Sequence, residues 1–412
     1  MPKKSAPPVP ADAYPVSLAM DTLAVHPWAT ASGRPRAHRT LNAPLYLTTQ
    51  WEGADLSELA QLFMKNPDRG FYTRFGHPTV RLAEEKLAQL EEAEDALLFS
   101  SGMAAITTSL LAVLSAGDHV VAHHALFGQT LQFMDHLSSR LGVNITFVDA
   151  TDPANVASAL RSDTRLLYLE TPSNPVIDIL DVRTLAALGH SAGALVSVDT
   201  TFAGPVVQQP LALGADLSLQ SASKSLAGHA DVLAGCVAGS TELIAQIRRM
   251  RNLTGPSLDP HASWLLMRSL QTLHLRVRAQ SATASLVADQ LAASSAVSMV
   301  RYPFLASHPA HDVARQQMRC GGTMVSFAFH GGLDVTRRFV AALAWIPLAS
   351  SLGSVFTTLE VPEDLDFAPE EIGERAASFA MPPGFIRLSV GAEAPDDVLA
   401  DIARGLAAVA ER

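Results

Sequence analysis

Lys224 is the only lysine between Lys86 and the C-terminus of this 412-residue chain. It lies in Ser218-Leu-Gln-Ser-Ala-Ser-Lys-Ser-Leu-Ala-Gly-His-Ala-Asp231, with serines one and three residues before it and a Gly-His-x-Asp turn after it. A lone amine among small polar residues, following an apolar run, suits covalent work. Upstream, Leu195-Val-Ser-Val-Asp199 reads as a buried strand ending in a carboxylate. An amine able to form a Schiff base, with an acid able to pair a pyridinium nitrogen, is the arrangement of a pyridoxal phosphate site. Each residue also has a plainer reading, since most lysines lie along the surface and an isolated Asp after a strand often caps a turn. Ser221-Ala-Ser-Lys224 also matches the Ser-x-x-Lys of penicillin-recognising enzymes, whose Ser-Asp-Asn and Lys-Thr-Gly companions are absent here.

Three further places carry chemistry. Ser101-Gly102-Met103 follows an apolar run and opens a helical pattern; free N–H groups and the helix dipole make such a junction an anion site, and glycine lets a phosphate approach closely. Alternation in Phe385-Ile-Arg-Leu-Ser-Val390 puts Ile386, Leu388 and Val390 on one face and Arg387 on the other. Histidines do not suggest a metal centre: His308 and His311 could share a helical face and His123-His124 is a lone pair, but no His-Glu-x-x-His or Cys-rich companion occurs. Neither a G-x-G-x-x-G nor a P-loop is present.

To position these residues, the chain alternates short apolar runs with helical patterns. Candidate strands are 96–99, 119–122, 144–148, 165–169, 195–199, 215–219 and 233–237. Helical segments fall at 79–94, 103–115, 126–141, 153–160, 182–190 and 240–252. Such alternation predicts an α/β fold with a mostly parallel seven-stranded sheet and helices on both faces. After Thr254-Gly-Pro256 come long helices over 259–293, short strands near 298–302, 323–329 and 385–390, and helices at 310–318, 333–343 and 395–411. The expected organisation is an extended Pro-rich arm over 1–70, an α/β domain over 71–258 and a smaller α+β domain over 259–412. The acidic stretch 363–377 reads as a surface connection.

Composition excludes several classes. A net charge of −10 and no Lys/Arg run longer than a pair argue against a nucleic-acid footprint. Cys236 and Cys320 are too few for a disulfide framework, which fits a reducing cytoplasm. Met1-Pro-Lys-Lys-Ser-Ala-Pro-Pro-Val-Pro10 has basic residues without an apolar region after them, so no signal peptide is expected. The uncharged run from Ala96 to Gly117 is broken by Ser100-Ser-Gly102 and reads as strand, turn and buried helix rather than a membrane span.

Six segments together resemble the Cys/Met-metabolism (transsulfuration) family of fold-type-I pyridoxal phosphate enzymes. They are Tyr72-Thr-Arg-Phe-Gly-His-Pro-Thr79, Ser101-Gly-Met-Ala-Ala-Ile106, Glu170-Thr-Pro-Ser-Asn-Pro175, Val198-Asp-Thr-Thr-Phe202, the Lys224 segment and Arg387-Leu-Ser-Val-Gly391, and they occur in the family's order. The resemblance implies a Schiff base on Lys224, Asp199 at the pyridine nitrogen and Asn174 at the ring hydroxyl. It implies Gly102, Met103, Ser221 and Ser223 at the phosphate, and Arg387 on the substrate α-carboxylate. Tyr72 and Arg74 would reach the phosphate of a neighbouring subunit, which implies a dimer or a tetramer.

Where the family's lyases carry a tyrosine stacked on the cofactor, this chain has Phe127, which keeps the stacking and loses the hydroxyl. Ser350 precedes a Ser351-Leu-Gly segment that resembles the substrate end, and Phe356 replaces a glutamate often found there. The family's downstream His-Pro-Ala-x-Met-Thr-His block is reduced to Pro362. The implied activity is a carbon–sulfur lyase of cystathionine type. The alternatives are γ-replacement, as in an O-acylhomoserine sulfhydrylase or cystathionine γ-synthase, and a non-catalytic cofactor-binding protein.

Overall fold

The computed structural model describes residues 19–26, 42–64, 71–362 and 381–410. The acidic connection expected over 363–377 and the first residues of the arm lie outside them. Seven strands form the larger sheet: β1 (Asp95–Phe99), β2 (His119–His123), β3 (Asn144–Val148), β4 (Thr164–Glu170), β5 (Leu195–Asp199), β6 (Leu217–Gln220) and β7 (Gly235–Gly239). Their order is β1-β7-β6-β5-β4-β2-β3, with β7 antiparallel to both neighbours and every other adjacent pair parallel. The mostly parallel α/β sheet expected from the alternation is present.

The pleat explains why these strands read as continuous apolar runs. Leu97, Phe99, Val120, Ala122, Leu166 and Tyr168 pack with Ile106 and Leu110 of the helix Gly102–Val113 and with Leu131 and Met134 of the helix Gly128–Leu141. Their neighbours point the other way. Val121, Leu167, Leu169, Val196 and Val198 pack with Leu185 of the helix Val182–Ser191, and Ala96 and Leu98 with Leu87 and Leu90 of the helix Pro78–Glu91. Both faces are covered, as a parallel sheet requires. Because β4, β5 and β6 run parallel, Glu170, Asp199 and the chain leaving Gln220 emerge at one edge, the usual place for a ligand in such sheets.

A second sheet has the order β10-β11-β9-β8, all antiparallel, from β8 (Val297–Arg301), β9 (Met324–Phe329), β10 (Thr358–Glu360) and β11 (Ile386–Ser389). Val325, Phe327, Ile386 and Leu388 share a core with Val398 and Ile402 of the helix Pro395–Ala410. Arg387 stands directly opposite Ser326 on one side and Glu360 on the other. It is therefore on an inner strand, not a solvent edge.

Two features differ from the sequence expectation. The stretch read as an extended arm contains the helices Met20–Val25 and Leu56–Met64. Strand β10 was not expected: three residues are too few to show a period.

Candidate active site

The Lys224 segment leaves β6 and is fixed by its own backbone. Ser221 N–H donates to Thr201 Oγ1 at 2.9 Å, Lys224 N–H to Ser221 O at 3.1 Å, and Gly228 N–H to Lys224 O at 2.8 Å. From the helix Leu273–Ala292, the buried Arg276 donates to Ser225 O at 2.9 Å and Leu226 O at 3.4 Å. Gly228 has φ +71°, and a Cβ there would fall 1.8 Å from Arg276 Nη1, so only glycine lets the guanidinium cross the loop. On this support Lys224 Nζ donates to Ser351 Oγ at 2.7 Å. Burial lowers its pKa from 10.5 to about 8, with the Arg387 charge adding and the Glu360 charge opposing. A neutral amine near pH 8 is what nucleophilic attack and proton transfer require.

Asp199 is buried at the end of β5, with one oxygen accepting Thr201 N–H at 2.9 Å. Burial raises its pKa to about 6, against the Thr201 hydrogen bonds. Glu170 is its register partner on β4; burial first, then the Asp199 charge, holds its carboxyl well above the ordinary range. A cation set against Asp199 would offset both effects, as a protonated pyridine nitrogen does. Glu170 also accepts Phe127 N–H at 2.8 Å and Asn174 N–H at 3.1 Å, tying together two predicted cofactor neighbours. The Phe127 side chain is 39% exposed at the N-terminus of the helix Gly128–Leu141, where a ring remains open to stacking.

Ser101 caps the helix Gly102–Val113 by accepting Ala104 N–H at 3.0 Å. Among the described residues the N–H groups of Gly102 and Met103 have no acceptor. A Cβ on Gly102 would lie 2.8 Å from Ser221 Cβ and 3.0 Å from its Oγ, so glycine is what lets the Ser221 hydroxyl sit over this helix N-terminus. Two free donors, a hydroxyl and the positive end of a helix dipole form a phosphate cradle. The residues thus fit pyridoxal phosphate at its phosphate, its ring nitrogen and its carbonyl carbon. Ser223 is engaged differently: its hydroxyl donates to Ala234 O at 3.1 Å and accepts Ala234 N–H at 2.9 Å.

Arg387 is buried, and it donates through Nη1 to Asn174 Oδ1 at 2.8 Å and through Nη2 to Ser351 O at 3.2 Å. Nη2 also pairs with Glu360. Ser351, at φ +77°, therefore carries Lys224 on its hydroxyl and Arg387 on its carbonyl. Ser350 and Ser351 both line a cavity of about 400 Å³ with Ser223, Trp345, Pro347, Phe356 and Thr358.

Tyr72 and Arg74 stand apart from this cluster. Tyr72 is 39% exposed, and Arg74 donates to Asn252 O at 2.5 Å with its guanidinium 4.6 Å from the Phe75 ring centre. Among the described residues neither contacts Lys224, Asp199 or the phosphate cradle of its own chain. His308 bonds Ile177 O at 3.0 Å and His311 bonds Leu305 O at 3.1 Å. Among the described residues His123, His124 and Asp149 bring one ligand atom each within 4.8 Å; His123 Nδ1 accepts Ala150 N–H at 3.2 Å, while its Nε2 lies 4.0 Å from Asp178. Glu170 and Glu360 are the site residues that sequence reasoning missed. Glu170 had a signal, a carboxylate closing a strand as Asp199 does. Glu360 had none, because its partner is set by the β10–β11 register.

The model of the Cys/Met metabolism PLP-dependent enzymes matches residues 21–407, and the chain belongs to that family. Its cofactor is pyridoxal phosphate. It is 38% identical to an L-methionine gamma-lyase of Treponema denticola over 89% of this chain and 92% of the relative. A cystathionine beta-lyase of Lactococcus lactis is 39% identical over 89% of this chain and 94% of its own. The solved cystathionine gamma synthase of Xanthomonas oryzae pv. oryzae superposes with a TM-score of 0.89 at 33% identity, covering 96% of this chain and 99% of that one.

Proposed function

We propose that this chain catalyses elimination at the β or γ carbon of a sulfur amino acid, as a cystathionine-type carbon–sulfur lyase. At the coarser level it is a pyridoxal phosphate enzyme acting as a carbon–sulfur lyase or as a γ-replacement enzyme. One observation carries the reading: Lys224 Nζ and Arg387 Nη2 meet on the same residue, Ser351, at 2.7 and 3.2 Å. An α-amino acid whose carboxylate lies on Arg387 has its Cα beside the Lys224 amine.

Bound pyridoxal phosphate supplies the electron sink that makes the Cα proton acidic. Arg387 holds the substrate carboxylate and so fixes the direction of the Cα–H bond. Lys224, with its pKa near 8, takes the proton from Cα and returns one to the departing or neighbouring carbon. Asp199 would hold the ring nitrogen of the bound cofactor in its protonated form. Asn174 is turned toward Arg387 by its side chain and toward Glu170 by its backbone, so one turn orients both ring and substrate. Phe127 offers no proton to the leaving sulfur, and for that reason γ-replacement is kept as the second reading.

Tyr72 and Arg74 complete a neighbouring subunit's phosphate site in this proposal, making the active unit a dimer, assembled in pairs as a homotetramer. Their bonding supports it: among the described residues Arg74 donates to Asn252 O and stacks on Phe75, with no hydrogen bond or ion pair to the cluster of its own chain. Among the described residues no helix is long and apolar enough to cross a membrane; a cytoplasmic location is part of the proposal, as is the division into 71–258 and 259–412. Purified protein should release a keto acid and a thiol from cystathionine, methionine or cysteine. Keto acid formed only from O-acylhomoserines, and replaced by a thioether when a thiol is added, would favour replacement instead.

A further inference from the structure

Arg387 has five N–H donors, and their bookkeeping restricts how a substrate carboxylate can bind. A two-point grip uses Nη2 together with either Nη1 or Nε. Both hydrogens of Nη2 are engaged, one by Ser351 O at 3.2 Å and the other by Glu360, while Nη1 has given one to Asn174 Oδ1 at 2.8 Å. The Ser351 carbonyl is backbone and the Asn174 turn is held by Glu170, so neither withdraws easily. Glu360 is a side chain. It is the more exposed member of its pair, at 16% against 7%. It also shares a strand face with Thr358, two residues away, and Thr358 lines the 400 Å³ cavity into which a side chain could turn.

We propose that Glu360 is a resident carboxylate that occupies the Arg387 clamp in the resting enzyme and must be displaced by the α-carboxylate of the substrate. Glu360 is thereby a specificity-determining residue. It keeps the buried guanidinium neutralised between turnovers and admits only ligands whose own carboxylate replaces it. A neutral amide or ester cannot take over the charge, so it leaves Glu360 in place and binds weakly. Both carboxylates cannot stay, because a second anion beside the first would be buried without its own cation.

The proposal rests on Arg387 as the α-carboxylate site, and the test separates the two claims. Glycine, which has no side chain to eliminate, and glycinamide are titrated into holoenzyme while the visible band of the cofactor is followed. In Glu360→Gln the dissociation constant for glycine should fall at least tenfold, about 1.4 kcal/mol, and that for glycinamide should stay within twofold. Glu360→Asp, which keeps the charge, should give a smaller gain. Unchanged or weaker glycine binding in Glu360→Gln, with the cofactor band intact, overturns the displacement. Equal tightening of glycine and glycinamide overturns it too, by showing a general loosening of the site. Separately, Arg387→Lys should bind glycine poorly; wild-type binding in that variant would remove Arg387 from the carboxylate site altogether.

Discussion

Two lysines of this chain, the buried Lys86 and the half-buried Lys224, have their pKa lowered by desolvation to about the same value, 8, and only Lys224 stands beside the buried arginine of the candidate site. Lys86 lies in the helix Pro78–Glu91 and uses its ammonium as a three-way strut: it donates to Leu23 O, to His26 O at 2.7 Å and to Gln89 Oε1 at 3.0 Å. All three of its N–H bonds are spent on neutral acceptors, and together they fasten the helix Met20–Val25 to the fold. Among the described residues the Lys224 ammonium makes one side-chain hydrogen bond, to Ser351 Oγ, and of the two charges acting on it the repelling Arg387 outweighs the attracting Glu360. A depressed pKa therefore does not identify a catalytic amine. The number of donors left uncommitted, and what lies opposite them, does.

The largest difference should appear on deletion. Lys224→Ala should abolish both turnover and the borohydride-reducible cofactor adduct, since proton transfer alone contributes about 10²–10⁴-fold. Lys86→Ala should keep the adduct and lose stability by about 1–3 kcal/mol through its unpaired carbonyls, read as a lower denaturant midpoint. A Lys224→Ala protein that still forms one adduct per chain would erase the contrast.

The next effect concerns the partner subunit. Arg74→Ala should weaken cofactor retention by roughly 1.5–3 kcal/mol. Mixed with Lys224→Ala under conditions of proven subunit exchange, it should regain activity, because one site of each hybrid has both residues intact. No recovery would place Arg74 in the site of its own Lys224.

The pH response sharpens the comparison further. Only the neutral amine attacks the cofactor, and Lys224 in the apoprotein is lowered from 10.5 to about 8. Reconstitution with added pyridoxal phosphate should thus quicken about tenfold per pH unit below 8 and level off above it. A rate still climbing past pH 10 would indicate an ordinary solvent-exposed lysine. The smallest effect is expected at Phe127→Tyr, which adds a hydroxyl at the position proposed to stack on the cofactor and should raise elimination relative to replacement by a few-fold. A ratio that stays the same removes position 127 from that partition.

The same contrast explains what the sequence could reveal. Most strands of the larger sheet were legible because they are buried on both faces and an apolar run between turn residues marks them; the edge strand β3 is only partly buried and shows the same pattern more weakly. Asp199 and Gly102 were legible as the residues that close or follow such runs. The substrate side was not: Ser351 takes a left-handed backbone, β10 has three residues, and Glu360 meets Arg387 only through register. Lys86 gave no hint of its strut, because two of its three acceptors are backbone carbonyls sixty or more residues away in sequence. Local pattern encodes elements. Pairings between distant loops have no local signature.

The most direct measurement is to reduce the holoenzyme with borohydride, digest it and map the cofactor-labelled peptide. The chain has five lysines, at positions 3, 4, 65, 86 and 224, so assignment is unambiguous. We expect one label per chain, on Lys224. A label on Lys86, or one spread among several lysines, would contradict the assignment of Lys224 as the covalent amine.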